Sequence, residues 1–129
     1  MLEKYRNQVS QFPDVLPVLS SLGRKYRLII ATGTAREFLP CLLDGLDDHF
    51  VRVFSSISDY GQLKSPQFYD WVSQEMGVEP YEIVHVGDSR RFDFIAAKEA
   101  GAKVFHLERN KESGNGDSLH SLTELEARL

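Results

Sequence analysis

The sequence predicts an α/β fold with a parallel sheet and helices on both of its faces. Two patterns lead there. Apolar runs of strand length recur four times, at 27–32, 50–54, 82–86 and 103–107, and between them lie segments with helical apolar spacing. The connections are long enough for crossovers between parallel strands. Length sets the third constraint: 129 residues with 42% hydrophobic and 26% charged suit one soluble domain, spanning 1–129. A chain of this size buries roughly two-thirds of its unfolded surface, enough for a core.

Each element has a local reason. Residues 2–11 are polar with good helix formers, so a short surface helix is expected before Phe12-Pro13-Asp14 punctuates the chain. Val15, Leu16, Val18, Leu19 and Leu22 then adopt helical spacing, with Asp14 placed to cap them. Pro17 falls in the first turn, where N–H groups lack intrahelical acceptors, and Gly23 suits the end. The run Arg27 to Thr32 is continuously apolar after its first residue, as in a strand covered on both faces. Gly33-Thr34 breaks it, and 35–46 reads as helical with an interruption at Pro40. The second strand, Phe50 to Phe54, ends in Ser55-Ser56. Pro66 opens a helix carrying Phe68, Trp71, Val72 and Met76, closed by Gly77. The third strand, Glu82 to Val86, meets Gly87-Asp88, and a helix with Phe92, Ile95, Ala96 and Ala100 runs to Gly101. Lys103 to Leu107 is the fourth strand. Asn110 to Ser118 is a polar loop, and Leu119, Leu122, Leu125 and Leu129 mark a closing helix.

In open parallel sheets ligands bind beyond the carboxyl ends of the strands, so the residues at those ends are the candidates. Thr32-Gly33-Thr34 offers hydroxyls and an approachable backbone at a strand end, which suits an anion such as phosphate; the plain alternative is a helix cap and a turn. Asp88, with Asp93 five residues on, brings two carboxylates to one edge, a hard-oxygen setting that suits Mg²⁺. The plain alternative there is that Asp88 caps the next helix and Asp93 sits in its first turn. Lys64 lies in a polar loop and matters if that loop folds over the strand ends, where its ammonium would neutralise phosphate or a carboxylate. His85, inside an apolar strand, reads as a hydrogen-bonded core residue. Arg90 and Arg91 read as exposed.

Composition excludes several classes. The formal charge is -4, against a nucleic-acid-coating surface. Cys41, the single cysteine, forbids an intramolecular disulfide or a multi-Cys zinc site. No apolar run approaches about 18 residues, and residues 1–5 lack a signal-peptide core, so no membrane partner and a cytoplasmic location are expected. A Gly-x-Gly-x-x-Gly turn and a Walker loop are both missing, which ranks a generic nucleotide binder last.

Taken in order, these features resemble the haloacid dehalogenase-like (HAD) superfamily of phosphohydrolases, over about residues 12–129. Leu28 to Gly33 is similar to the family's second motif, a strand ending in a phosphoryl-binding Ser or Thr, which points to Thr32. Lys64, with Pro66 and Phe68 after it, resembles the third motif, whose lysine steadies nucleophile and phosphate; the family more often has proline directly after that lysine, where this chain has Ser65. Ile83 to Asp93, then Ala96-Ala97-Lys98-Glu99-Ala100-Gly101, resembles the fourth motif, whose acids hold Mg²⁺. The resemblance implies a three-layer Rossmann-like HAD core with a parallel sheet. It assigns Lys64 as catalytic, Thr32, Gly33 and Lys64 as phosphate-binding, and Asp88 and Asp93 as metal-binding. The implied substrate is a small phosphorylated molecule, and residues 1–11 are a candidate cap remnant.

One departure matters. The family begins with an apolar strand ending in Asp-x-Asp, which supplies the nucleophile, a general acid/base and a Mg²⁺ ligand. None of the nine aspartates of this sequence forms Asp-x-Asp. A phosphoaspartyl mechanism needs its nucleophile, so the chain as given is expected to be inactive and to hold Mg²⁺ weakly or not at all. The missing strand would lie centrally, between those of motifs two and four, leaving unpaired backbone on each side. Three outcomes are open: the two strands pair directly, another chain or a second copy completes the sheet, or the chain is a piece of a longer enzyme. The alternative function is a non-catalytic HAD-like binding or regulatory module.

Overall fold

A computed structural model of the chain describes residues 14–109 and 117–129. The helix expected over 2–11 and nearly all of the loop from Asn110 lie outside the described residues. The chain divides into two compact units, Met1–Gly61 and Gln62–Leu129.

In the first unit, α1 (Val15–Leu22) buries Val18 and Leu22, four residues apart on one face. Asp14 occupies the capping position but makes no side-chain cap hydrogen bond, contrary to expectation. Its backbone is already helical (φ -81°, ψ -15°), whereas a capping residue is extended. β1 (Ile29–Thr32) pairs in parallel with β2 (Arg52–Ser55), Ile29 opposite Arg52 and Thr32 opposite Ser55. All four residues of β1 are half-buried, less covered than the apolar run suggests. The helix expected over 35–46 is two short pieces, a 3₁₀ turn at Arg36–Phe38 and α2 (Leu39–Leu42), with Pro40 in the first turn of α2. Proline interrupts the backbone ladder there and forces the restart.

In the second unit, α3 (Pro66–Met76) buries Phe68, Tyr69, Val72 and Ser73. The Ser65 hydroxyl caps it by accepting from the Phe68 N–H at 3.2 Å, Pro66 opens it, and Gly77 ends it in a left-handed conformation (φ 68°) that favours glycine. β3 (Val84–Gly87), β4 (Lys103–Leu107) and β5 (Ser118–Leu119) form a parallel sheet in the order β3-β4-β5. Between β3 and β4 run a π-helical turn, Arg90–Ile95, and α4 (Ala96–Glu99). The core gathers Phe68, Val72, Ala97, Val104, Phe105, Leu119 and Leu125.

The closing helix is corrected. Leu119 pairs with Leu107 in the sheet and is fully buried, so the apolar stripe begins in a strand. Beyond it the chain makes two 3₁₀ turns, Leu122–Glu124 and Glu126–Arg128. Spacing of three to four residues fits a helix, but a two-residue strand leading into turns buries Leu119 and Leu125 and leaves Leu129 exposed.

Strands β1 and β3 belong to different sheets.

Candidate functional site

The strand end of β3 turns through Gly87, Asp88 and Ser89 into the π-helical turn. Ser89 shapes that turn: its hydroxyl accepts from the Phe92 N–H at 3.1 Å, and its own N–H donates to Asp93 Oδ2 at 3.0 Å. The cap is thus Ser89, not Asp88, and Asp93 sits in the first turn facing back to the strand end. Gly87 is required, because a Cβ there would overlap the Asp93 carboxylate. The side chain of Asp88 is exposed, while its backbone carbonyl accepts from His106 Nε2 at 3.0 Å.

Lys64 meets Asp93. Its Nζ forms an ion pair with Asp93 Oδ1, the lysine side chain 12% and the aspartate 7% exposed. Proline at 66 rather than 65 leaves Ser65 to cap α3, and the lysine stands immediately before that cap. His85 Nε2 lies 3.1 Å from the same Oδ1, and the Tyr69 hydroxyl lies 3.2 Å from His85 Nε2. Burial works against the charge on Asp93, but the hydrogen bond to His85 and the nearby Lys64 ammonium outweigh it and hold the carboxyl well below the usual range. Burial, helped by the Asp93 charge, pushes the Tyr69 hydroxyl up, so it stays protonated. The structure therefore brings Lys64, Asp93 and His85 together, with Asp88 at the adjoining turn. His85 is the hydrogen-bonded core residue the sequence suggests. Tyr69 is a site residue that no local sequence signal marks.

Thr32 and Gly33 end β1 in the first unit. The Thr32 hydroxyl accepts from the Thr34 N–H at 3.1 Å, which leaves its own proton available to an anion. Thr34 caps nothing by its side chain; its carbonyl accepts from the Ser55 hydroxyl at 2.7 Å. Beside Gly33, the Ser56 hydroxyl is fully buried without a hydrogen-bond partner among the described residues.

The end of β2 repeats the construction found after β3. Ser55 accepts from the Ser58 N–H at 3.1 Å and donates its N–H to Asp59 Oδ2 at 2.8 Å, and a π-helical turn, Ser56–Tyr60, comes next. A cation again clasps the aspartate: Arg36 Nε donates to Asp59 Oδ1 at 2.9 Å, and its Nη2 pairs with Oδ2. In both places the sequence reads Ser-x-x-x-Asp, Ser55 to Asp59 and Ser89 to Asp93. The two clasps differ in burial, since the Arg36 side chain is 51% and Asp59 23% exposed.

For Mg²⁺ the donor chemistry fits, but one of the two donors is already engaged. Asp88 and Asp93 are hard oxygen ligands, yet Asp93 is committed to Lys64, His85 and Ser89. No group of three or more His, Cys, Asp or Glu is placed to hold a metal among the described residues.

Parallel strands, a lysine on a buried carboxylate and a Gly-Asp turn at a strand end thus meet in the second unit. Residues 2–101 match the haloacid dehalogenase-like hydrolases, and the chain belongs to that family. It is 31% identical over 99 residues to phosphoglycolate phosphatase of Vibrio vulnificus, covering 74% of this chain and 43% of the relative. It is 30% identical over 119 residues to (S)-2-haloacid dehalogenase of Xanthobacter autotrophicus, covering 91% and 46%. The crystal structure of a HAD phosphatase from Thermococcus onnurineus superposes with a TM-score of 0.80 at 31% identity, covering 91% of this chain and 57% of that one. The chain spans about half the length of these relatives.

Proposed function

We propose that the chain is the core of a phosphomonoester hydrolase that binds a small phosphorylated metabolite and, as this chain alone, does not turn it over. The observation that carries the reading is the buried pair of Lys64 and Asp93 at the end of β3, which fixes an ammonium at a strand edge. Lys64 neutralises phosphoryl charge. Thr32 donates its hydroxyl, and Gly33 lets the backbone approach an anion. Inactivity rests on the sequence, which contains no Asp-x-Asp to supply a carboxylate nucleophile. The phosphatase relatives support a phosphorylated substrate. Phosphoglycolate and 2-haloacids, named for two relatives, are both short carboxylic acids substituted beside the carboxylate, which supports a small acid as the substrate class.

Asp88, exposed, and Asp93, engaged by Lys64, would hold Mg²⁺, which when bound would neutralise charge on the phosphoryl group. That arrangement supports weak affinity. A partner chain or second copy carrying an extended segment would complete the sheet along an open strand edge, and the cytoplasm is the proposed location. Among the described residues no helix is long and apolar enough to cross a membrane.

The lack of an Asp-x-Asp favours a second reading, a non-catalytic binding or regulatory module. Two measurements test these readings. Titration with inorganic phosphate monitored by NMR is expected to perturb Lys64 and Thr32, and Lys64→Met to weaken phosphate binding; no response in the wild-type chain refutes the anion site. Assay with p-nitrophenyl phosphate and Mg²⁺ is expected to give no turnover. Activity abolished by Asp88→Asn would overturn the inactive reading.

A further inference from the structure

The hydrogen bonds around Asp93 fix where the protons are. The Tyr69 hydroxyl has one proton and lies 2.6 Å from the Phe92 carbonyl, which can only accept. That proton is therefore spent on Phe92, and the 3.4 Å approach of the same hydroxyl to Asp93 Oδ1 is not its donation. His85 Nε2 then faces two acceptors, the Tyr69 oxygen at 3.2 Å and the ionised Asp93 Oδ1 at 3.1 Å, so it must carry hydrogen. The His85 side chain is 13% exposed, and its ring packs 4.9 Å from the Tyr69 ring, centroid to centroid, so neither group is free to swing away.

We propose that His85 and Tyr69 are positioning residues for the phosphate-binding lysine. Tyr69, anchored on the Phe92 carbonyl and packed against the His85 ring, holds that ring where its Nε2–H reaches Asp93 Oδ1, and that contact fixes the carboxylate so that Oδ1 meets Lys64 while Oδ2 meets the Ser89 N–H. The consequence for Lys64 is geometric. Without the histidine donor the carboxylate can rotate about its side chain, and the ammonium loses its fixed place at the strand end. The histidine and tyrosine need not touch the ligand to do this. Outer partners that orient a binding group typically change affinity by about 10-fold or more when removed. This role rests on Lys64 being the anion-binding cation proposed above.

Three readouts on the intact chain test it. Long-range ¹H–¹⁵N correlation of the His85 ring is expected to show hydrogen on Nε2; a ring with bare Nε2 overturns the proposal. The Lys64 ammonium is expected to give a slowly exchanging ¹H–¹⁵N signal at low temperature, lost in His85→Leu and retained in His85→Gln, whose amide nitrogen can replace the Nε2 donor. Tyr69→Phe is expected to weaken that signal without unfolding the chain. Inorganic phosphate should bind roughly 10-fold more weakly to His85→Leu and close to normally to His85→Gln. An unchanged Lys64 signal in both His85→Leu and Tyr69→Phe overturns the positioning role, as does its loss in a folded His85→Gln. If His85→Leu does not fold, Tyr69→Phe and His85→Gln decide. If the wild-type chain binds no phosphate, the proposed function fails, and the ring and ammonium signals still decide the positioning role.

Discussion

Asp93 owes its place to a missing atom. Any side chain on Gly87 would occupy the volume of the Asp93 carboxylate, so Gly87→Ala should displace the acid and release Lys64. A cost of about 1–3 kcal/mol is expected for overpacking of this kind, read as a lower denaturant midpoint together with loss of the Lys64 ammonium signal. The sequence makes Lys64, Asp88 and Asp93 visible because spacing and neighbouring residues mark them. It does not mark Tyr69, which sits on a helix 24 positions from Asp93 and reads locally as one more core aromatic. Contacts across such distances in sequence exist only after the sheet and α3 have packed.

The elements were legible to the extent that local physics decides them. α3 has its serine cap, first-turn proline and left-handed terminal glycine where the sequence puts them. Ser65→Ala should therefore cost about 1 kcal/mol, measurable by thermal or urea unfolding, and should also loosen the neighbouring Lys64. The four long strands fall within two residues of their expected positions. The failures are of another kind. Asp14 is placed like a cap but has a helical backbone, and the Leu119 to Leu129 stripe is divided between a strand and turns. Apolar spacing records which residues reach the core, and hydrogen-bond pairing with β4 decides the backbone that carries them.

For the whole molecule, the parallel α/β class could be read in advance and the division of strands between two sheets could not. Which edges pair depends on contacts between segments remote in sequence. Acid stability joins the two units on one scale. Asp59 is held below its ordinary value by the Arg36 hydrogen bond, against the opposing effect of burial, and Asp93 lies lower still relative to its own. In both cases the unfolded chain takes up protons first as pH falls. Their stabilisation is thus complete above the ordinary carboxylate pKa of about 4 and drains away as pH falls through the folded values. The melting temperature should drop steadily from about pH 5 to about pH 2 on this ground, and Asp59→Asn or Asp93→Asn should each flatten that drop.

The duplicated serine–aspartate clasp shows how setting decides what one architecture does. An identical local recipe closes both strand ends, yet Arg36 stands half in water while Lys64 is sheltered from it. Water screens the outer pair, which leaves it a fastener for its loop. Seclusion is what would let the inner pair address a visiting anion, on the function proposed above. One chain thus sets the same clasp in two surroundings, and the dielectric around each, more than the residues that compose it, separates the two.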